Sequence, residues 1–403
     1  MTTARKFQDQ LLESTRDSSY WKPLSTAVTD AFYAVPRHRF VRRYRTFRND
    51  TWFEVTDENL EEHLATLYAN KPLVIYGEDA DFEGSGGRIP VSTISQPTFV
   101  LRMIDMLELR SGHRVFELGG GTGWNAALIG HVVGATGRVV SVEIIPDLIQ
   151  SARAAVAAVG LDHVEILEGD GGDGHAPHAP YDRAVFTAGA YDLPRAFYRQ
   201  VRSGGLLLFV LKNKGGADTL ILLEKHEDCF RSRRSLSCGF VPLTGKFHVD
   251  SMEARPLDEL LAGARINPEP VETTAFWWSG ADSDNFVWVT AGLRSFLAIS
   301  EPGYEAIRLD RSNATFGILD RAGGALVVAH HDKLVCYGSP EPRHRLIEIL
   351  KRWIDRGMPG LSTLDVTAYP IDHEVAPAAG DWLVRRNESQ FVWSLPRPRR
   401  EPG

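Results

Sequence analysis

Apolar positions in the first 70 residues recur at helical spacing. Phe7, Leu11 and Leu12 share one face, as do Ala27, Ala31 and Phe32, which predicts a helical N-terminal region. Val35-Pro36 marks a turn, and residues 68–92 read as loop around a flexible Gly84-Ser85-Gly86-Gly87 run. From Gln96 the pattern alternates. Residues 97–107 read as a helix opened by proline, whose missing N–H costs little there. Short apolar runs at 115–118, 139–143, 164–167, 184–186 and 206–211 read as buried strands. Between them, 124–133, 146–159 and 194–201 carry helical spacing, the last stopped by Ser203-Gly204-Gly205. Strands alternating with helices of this length imply βαβ units, hence an α/β fold with a mostly parallel sheet covered on both faces.

After Gly245 the pattern changes. Residues 296–299, 315–319, 326–329 and 334–337 read as short strands with glycine turns, 342–356 as a helix, and 382–384 with 391–395 as a closing strand pair. Six of the nine tryptophans fall in these last 158 residues, and Trp277, Trp278 and Trp288 are either an aromatic patch for a peptide or core. The predicted division is a catalytic domain at 1–245, whose first 92 residues form a helical, substrate-cleft region, and an α+β module at 246–403 assigned to peptide recognition.

Composition narrows the classes. The 403-residue chain is 43% hydrophobic and carries a formal charge of −7, with no basic footprint for nucleic acid. The run 206–211 is far too short to span a bilayer. The opening MTTARKFQDQ lacks the apolar stretch of a secretory signal, and three scattered cysteines make no disulfide framework, so a cytoplasmic location is expected. His175 and His178 have no third ligand nearby and His330-His331-Asp332 reads as a hairpin surface, so no metal is expected.

The chemistry concentrates in Glu117-Leu118-Gly119-Gly120-Gly121-Thr122-Gly123, a strand end, a glycine turn and a helix start. Glycine lets a cofactor approach the backbone, and the helix start points N–H groups at it. Residues 121–126 also fit the G-x-G-x-x-A variant of the dinucleotide fingerprint, which keeps a nicotinamide-dependent oxidoreductase open. Charge separates the two readings. Glu117 at the lip of the loop would repel a pyrophosphate but favour the ammonium group of S-adenosylmethionine. Glu143 ends the next strand, suited to both ribose hydroxyls, and Asp170-Gly171 ends the following one, suited to an adenine amino group. Each acid alone fits a solvated loop equally well; three at successive strand ends suit a cationic cofactor with a free ribose.

Val35-Pro36-Arg37-His38-Arg39-Phe40-Val41, Thr93-Ile94-Ser95-Gln96-Pro97, the glycine turn, Ala179-Pro180-Tyr181-Asp182-Arg183, Thr187-Ala188 and Arg202-Ser203-Gly204-Gly205 follow one another in this order. Together they resemble the protein-L-isoaspartate O-methyltransferases over roughly residues 20 to 215. The resemblance implies a Rossmann-like fold and S-adenosylmethionine as cofactor, leaving as S-adenosylhomocysteine. Glu117, Gly119, Gly121, Thr122, Gly123, Glu143, Asp170, Gly171 and Thr187 are then the candidate cofactor residues. The stretch Cys238-Gly239-Phe240-Val241-Pro242-Leu243-Thr244-Gly245 and the long extension are similar to the family members found with lanthipeptide and graspetide systems. Those relatives imply a cyclised ribosomal precursor peptide as partner, methylated on an aspartate whose ester closes to an aspartimide that either persists or hydrolyses to isoaspartate.

Ser95 and Thr93 carry the short hydroxyls suited to holding a carboxylate, with Ser95 the substrate-facing one; the other role open to Ser95 is to cap the helix at Pro97. Arg37 and His38 either steer an acidic peptide or form a solvated turn. Two departures from the family pattern fall on the substrate wall: Val91-Ser92 replace the usual Gly-Gln, and the link from Pro72-Leu73 is longer than usual. General isoaspartyl repair and a peptide-binding protein without catalysis are the alternative functions.

Overall fold

The computed structural model describes residues 3–15, 22–47, 49–78, 89–215, 218–249, 254–278, 286–310 and 313–396. The Gly84–Gly87 run and the Pro/Arg-rich last residues lie outside these, as does the Trp288 side chain.

Ten strands form one sheet. Val164–Glu168, Arg138–Glu143, Arg114–Leu118, Tyr181–Phe186 and Val201–Leu211 lie side by side in that order and are parallel. Chain order reverses at Arg114–Leu118, so the loops leaving it and Tyr181–Phe186 part and open a crevice, the usual ligand site of such sheets. The strands here are near-continuous apolar runs because both faces are covered: Val115, Phe116, Val139, Val140 and Ala184 are fully buried. Helices Trp124–Val133 and Pro146–Ala158 follow the first two strands in sequence, and Pro97–Met106 precedes them.

Beyond Val201–Leu211 the sheet continues antiparallel through Asp218–Lys225 and Phe230–Cys238. It then takes in Asp365–Pro370, Ser389–Ser394 and Trp382–Arg385 from the C-terminal region. The sheet is thus mixed, parallel only in its first half. Residues 246–403 are shared between two sheets, because their last three strands complete the large one. The second sheet has six strands, with Arg255–Pro256 at one edge and Pro270–Ala275 at the other. Trp382 packs against both cores, its ring 5.1 Å from that of Phe296.

Three readings are corrected. Residues 68–92 hold a strand pair, Leu73–Glu78 with Ile89–Ile94, because Leu73, Val74 and Ile94 are buried against the catalytic core. Ser203-Gly204-Gly205 ends no helix by a loop; helix Arg195–Gln200 passes directly into Val201–Leu211, which contains the glycines. Residues 296–299 lie in helix Ala291–Ser300, where Leu293, Phe296 and Leu297 share a buried face. A four-residue apolar run does not distinguish strand from helix, and here the three- and four-residue spacing decides.

Candidate active site

The glycine turn closes over the buried end of Arg114–Leu118. Gly119 has φ 88° and Gly121 φ 51°, in the left-handed region. At Gly119 a Cβ would also lie 2.5 Å from Thr187 Oγ1, so a side chain is excluded twice. Thr187 Oγ1 donates to the carbonyl of Leu118 at 2.8 Å, binding the turn to the neighbouring loop. Helix Trp124–Val133 starts at Gly123, which has no side chain to cap it, and Thr122 Oγ1 accepts from the Trp124 N–H at 3.4 Å.

Glu143 organises this turn. Its Oε2 accepts from the Gly121 N–H at 2.6 Å, and its Oε1 from the N–H groups of Ile144 and Ile145 at 2.8 and 2.9 Å. One lone pair of Oε2 remains for a ligand. Asp170 accepts from Gly172 N at 3.0 Å and from Lys246 N at 3.0 Å, tying the strand end to the segment that closes the crevice.

Glu117 is not at the lip. It is fully buried beneath the turn, where it accepts a 2.5 Å hydrogen bond from Ser141 Oγ and another from Asn125 Nδ2. Burial raises its carboxyl to about 7, against the lowering effect of those two donors. Its role is to brace the turn from below, not to face a cofactor's ammonium group.

The crevice is open to solvent and bordered by Gly119–Thr122, Glu143, Asp170 and Thr187, together with residues 91–95 and 240–244. Among the described residues, Glu143 and Asp170 are the charged ones on its lining, and no Lys, Arg or His joins them. Through Thr93, Ser95 and residues 240–242 it adjoins a groove walled by Phe47, Pro72, Pro90 and Phe99. Segment 240–244 is held by Asp218, which accepts from Phe240 N at 2.9 Å and pairs with Lys212 Nζ at 2.8 Å.

Candidate residues Val91, Ser92, Thr93, Ser95, Gly119, Gly121, Thr122, Glu143, Asp170, Gly171 and Thr187 all border the cavity. Thr93 and Ser95 both reach it despite their alternation, because the chain turns into the helix just after them. At the start of helix Pro97–Met106 the N-cap residue Gln96 makes no side-chain cap and the Thr98 N–H goes to Asn70 Oδ1 at 3.3 Å, so Ser95 does not cap it. Gly123 lies behind the turn, facing Ala152 and Val156.

Arg37 and His38 are corrected. Arg37 is 0% exposed and lies behind the wall, its Nη1 donating to the Ser95 carbonyl at 2.6 Å and its Nη2 to that of Ile94 at 3.2 Å. Burial holds its guanidinium down to about 9. His38 Nδ1 bonds Tyr68 Oη at 2.9 Å, away from the cavity. Neither a solvated turn nor a peptide-steering pair is present.

Sequence reasoning missed Asn125, Ser141 and the 240–244 wall. The wall had a signal, the Cys238–Gly245 string, which was legible as a resemblance but not as a location. Among the described residues no group of three or more His, Cys, Asp or Glu is placed to hold a metal, and no helix is long and apolar enough to cross a membrane.

Comparison with known proteins agrees with this geometry. A family model for protein-L-isoaspartate(D-aspartate) O-methyltransferase matches residues 6–248. The chain is 36% identical over 244 residues to the protein-L-isoaspartate O-methyltransferase of Methanopyrus kandleri, covering 60% of this chain and 93% of that protein. It is 34% identical over 231 residues to protein-L-isoaspartate O-methyltransferase 2 of Archaeoglobus fulgidus, covering 57% and 90%. A solved protein-L-isoaspartate O-methyltransferase superposes with TM-score 0.51 at 23% identity, covering 91% of this chain and 96% of its own. Likeness in fold therefore runs past residue 248 into the extension. With the family model covering more than half of it, the chain belongs to the protein-L-isoaspartate(D-aspartate) O-methyltransferase family, the S-adenosylmethionine-dependent carboxyl methyltransferases.

Proposed function

We propose that the chain esterifies the side-chain carboxylate of an aspartate or isoaspartate in a ribosomally made, cyclised peptide. The observation that carries the reading is the cavity's acidic lining, joined through Thr93 and Ser95 to a groove walled by Phe47, Pro72, Pro90 and Phe99. S-Adenosylmethionine fits this donor set. A lining whose described residues carry two carboxylates and no cation suits a sulfonium and an ammonium better than the pyrophosphate of a nicotinamide cofactor, and with the family match it sets the oxidoreductase alternative aside. When bound, S-adenosylmethionine supplies an activated methyl group.

Glu143 is placed to accept from ribose hydroxyls through Oε2, and Asp170 from an adenine amino group. The turn at 119–122 lets the ligand meet backbone. A substrate carboxylate is ionised at neutral pH and needs no base. The protein's work is alignment, and Ser95 supplies it. Its carbonyl is fixed by Arg37 and the residue borders both cavity and groove, and its hydroxyl is the group that would donate to the incoming carboxylate. Once the ester forms, the next backbone amide nitrogen attacks its carbonyl carbon. The N–C bond closes the aspartimide, the amide loses its proton, and methanol leaves. Water opening the imide gives aspartate or isoaspartate.

General repair of isoaspartyl residues is the second reading. It is favoured by relatives of that name matched over 90% or more of their length, and by a solved structure of that name whose likeness includes the extension. Residues 91–92 and the 73–78/89–94 hairpin are where the two readings divide. Turnover of a linear isoaspartyl peptide and of its ring-closed aspartyl counterpart, followed as base-labile methyl ester, decides between them. Preference for the ring-closed peptide supports the first, and efficient methylation of the linear one replaces it with repair.

A further inference from the structure

The strand pair Trp382–Arg385 and Ser389–Ser394 ends in a turn that meets the loop after Tyr181–Phe186, nearly 200 residues earlier. The contact is dense. Asp192 accepts from Glu388 N at 2.6 Å through Oδ2 and from Leu193 N at 2.8 Å through Oδ1. Ser389 Oγ donates to the Leu193 carbonyl at 2.5 Å and lies 3.0 Å from Tyr198 Oη. Glu388 Oε2 accepts from Arg195 N at 2.7 Å.

The other end of the same loop builds the cavity. Gly189 N donates to the Val241 carbonyl at 2.8 Å, and Leu243 N to the Gly189 carbonyl at 2.7 Å. Thr187, Ala188, Val241 and Leu243 all border the cavity. The short segment 189–193 thus joins the contacts of the C-terminal turn at one end to those of the 241–243 wall at the other.

We infer that this hairpin is a positioning element of the methyl-transfer site, with Asp192 and Ser389 as the positioning residues that hold 187–189 and 241–243 against the glycine turn. The inference rests on the methyl-transfer reading of the cavity. Residues 365–394 then serve the cofactor site, leaving the six-stranded sheet as the part of the extension free for other work. Two observations set this contact apart from ordinary packing. Asp192 is 7% exposed, and burial pushes its carboxyl up to about 6, so the fold carries a costly charged group at this joint. Both of its oxygens accept from backbone N–H groups on opposite sides of the joint, a use that an apolar residue does not replace.

The test uses the full chain, calorimetric titration with S-adenosylhomocysteine, and steady-state methylation of whichever of the two peptides above, ring-closed aspartyl or linear isoaspartyl, the wild-type protein turns over. Asp192→Ala is expected to weaken S-adenosylhomocysteine binding and lower kcat on the order of tenfold each, since small displacements at a distance carry penalties of this size or more. Asp192→Asn keeps one acceptor and is expected to recover most of both. Ser389→Ala, a milder change that keeps the fold if Asp192→Ala does not, is expected to shift both in the same direction. A folded Asp192→Ala or Ser389→Ala protein with lower Tm but unchanged affinity and kcat overturns the inference, because the joint is then structural only. A wild-type protein that does not bind S-adenosylhomocysteine overturns the reading beneath it and the inference too.

Discussion

Arg37 and Ser95 meet through one hydrogen bond, 58 residues apart in sequence: Nη1 of the guanidinium donates to the Ser95 carbonyl at 2.6 Å. The same guanidinium reaches the Ile94 carbonyl and lies over Trp124, 5.0 Å from the ring centre. Trp124 in turn donates its indole N–H to the Val35 carbonyl at 3.0 Å. Arg37 therefore connects the substrate wall to the first residue of the helix behind the glycine turn. The Ser95 side chain stands on a backbone held from behind.

Arg37→Lys is expected to lower kcat about tenfold while leaving S-adenosylhomocysteine affinity nearly unchanged. A lysine ammonium is a compact, strongly hydrated point charge without the rigid planar fork that spans the Ser95 and Ile94 carbonyls or the flat face that stacks on the indole. Full activity in the lysine variant would remove Arg37 from the positioning of Ser95. Arg37→Ala strands buried carbonyls, and at roughly 1–3 kcal/mol for each unsatisfied group it is expected to lower the urea midpoint sharply.

Ser95→Ala and Glu143→Ala divide the site into its two tasks. Loss of the Ser95 hydroxyl is expected to cut turnover about 10- to 100-fold, the worth of a hydrogen bond to a charged group, with cofactor affinity retained. Glu143→Ala removes the acceptor for three N–H groups at the turn, and S-adenosylmethionine binding is expected to fall by a similar factor. Equal loss of cofactor affinity in both variants would contradict the division; isothermal titration beside initial rates reads it.

Glu117 predicts a pH signature in stability rather than in rate. Its native carboxyl lies near 7, above its ordinary value of 4.5, because burial outweighs Ser141 and Asn125, while Glu143 adds like charge. The native state therefore holds more protons than the unfolded one between these values. This group's contribution is fully present below about pH 4.5 and is lost as pH rises through 7. Glu117→Gln removes the titration, and the Ser141 hydroxyl can turn to accept from the new amide. Its urea midpoint, relative to wild type, is expected to rise from pH 5 to pH 7.5. A constant difference across that range would show that Glu117 ionises freely.

Much of the catalytic half was legible in the chain because its signals are local. Proline and glycine mark helix starts and the tight turn, five apolar runs mark strands buried on both faces, and carboxylates at strand ends imply a shared edge once the sheet is parallel. Those rules need only neighbouring residues. Glu117 shows their limit: its place two residues before the glycines reads as the lip, yet the strand's alternation turns it inward, where Ser141 on the next strand receives it.

What tertiary structure alone decided are the contacts between distant segments. No period in residues 35–41 says that Arg37 will be enclosed behind Ser95, because a surface turn and a buried fork have the same local sequence. No composition shift after Gly245 says that three strands return to complete the first sheet. Backbone pairing across such distances is set by which edges remain open once the parallel core has formed. The extension, which reads from sequence as a separate module, closes the sheet edge beyond Phe230–Cys238 with one part and carries a second sheet with the other.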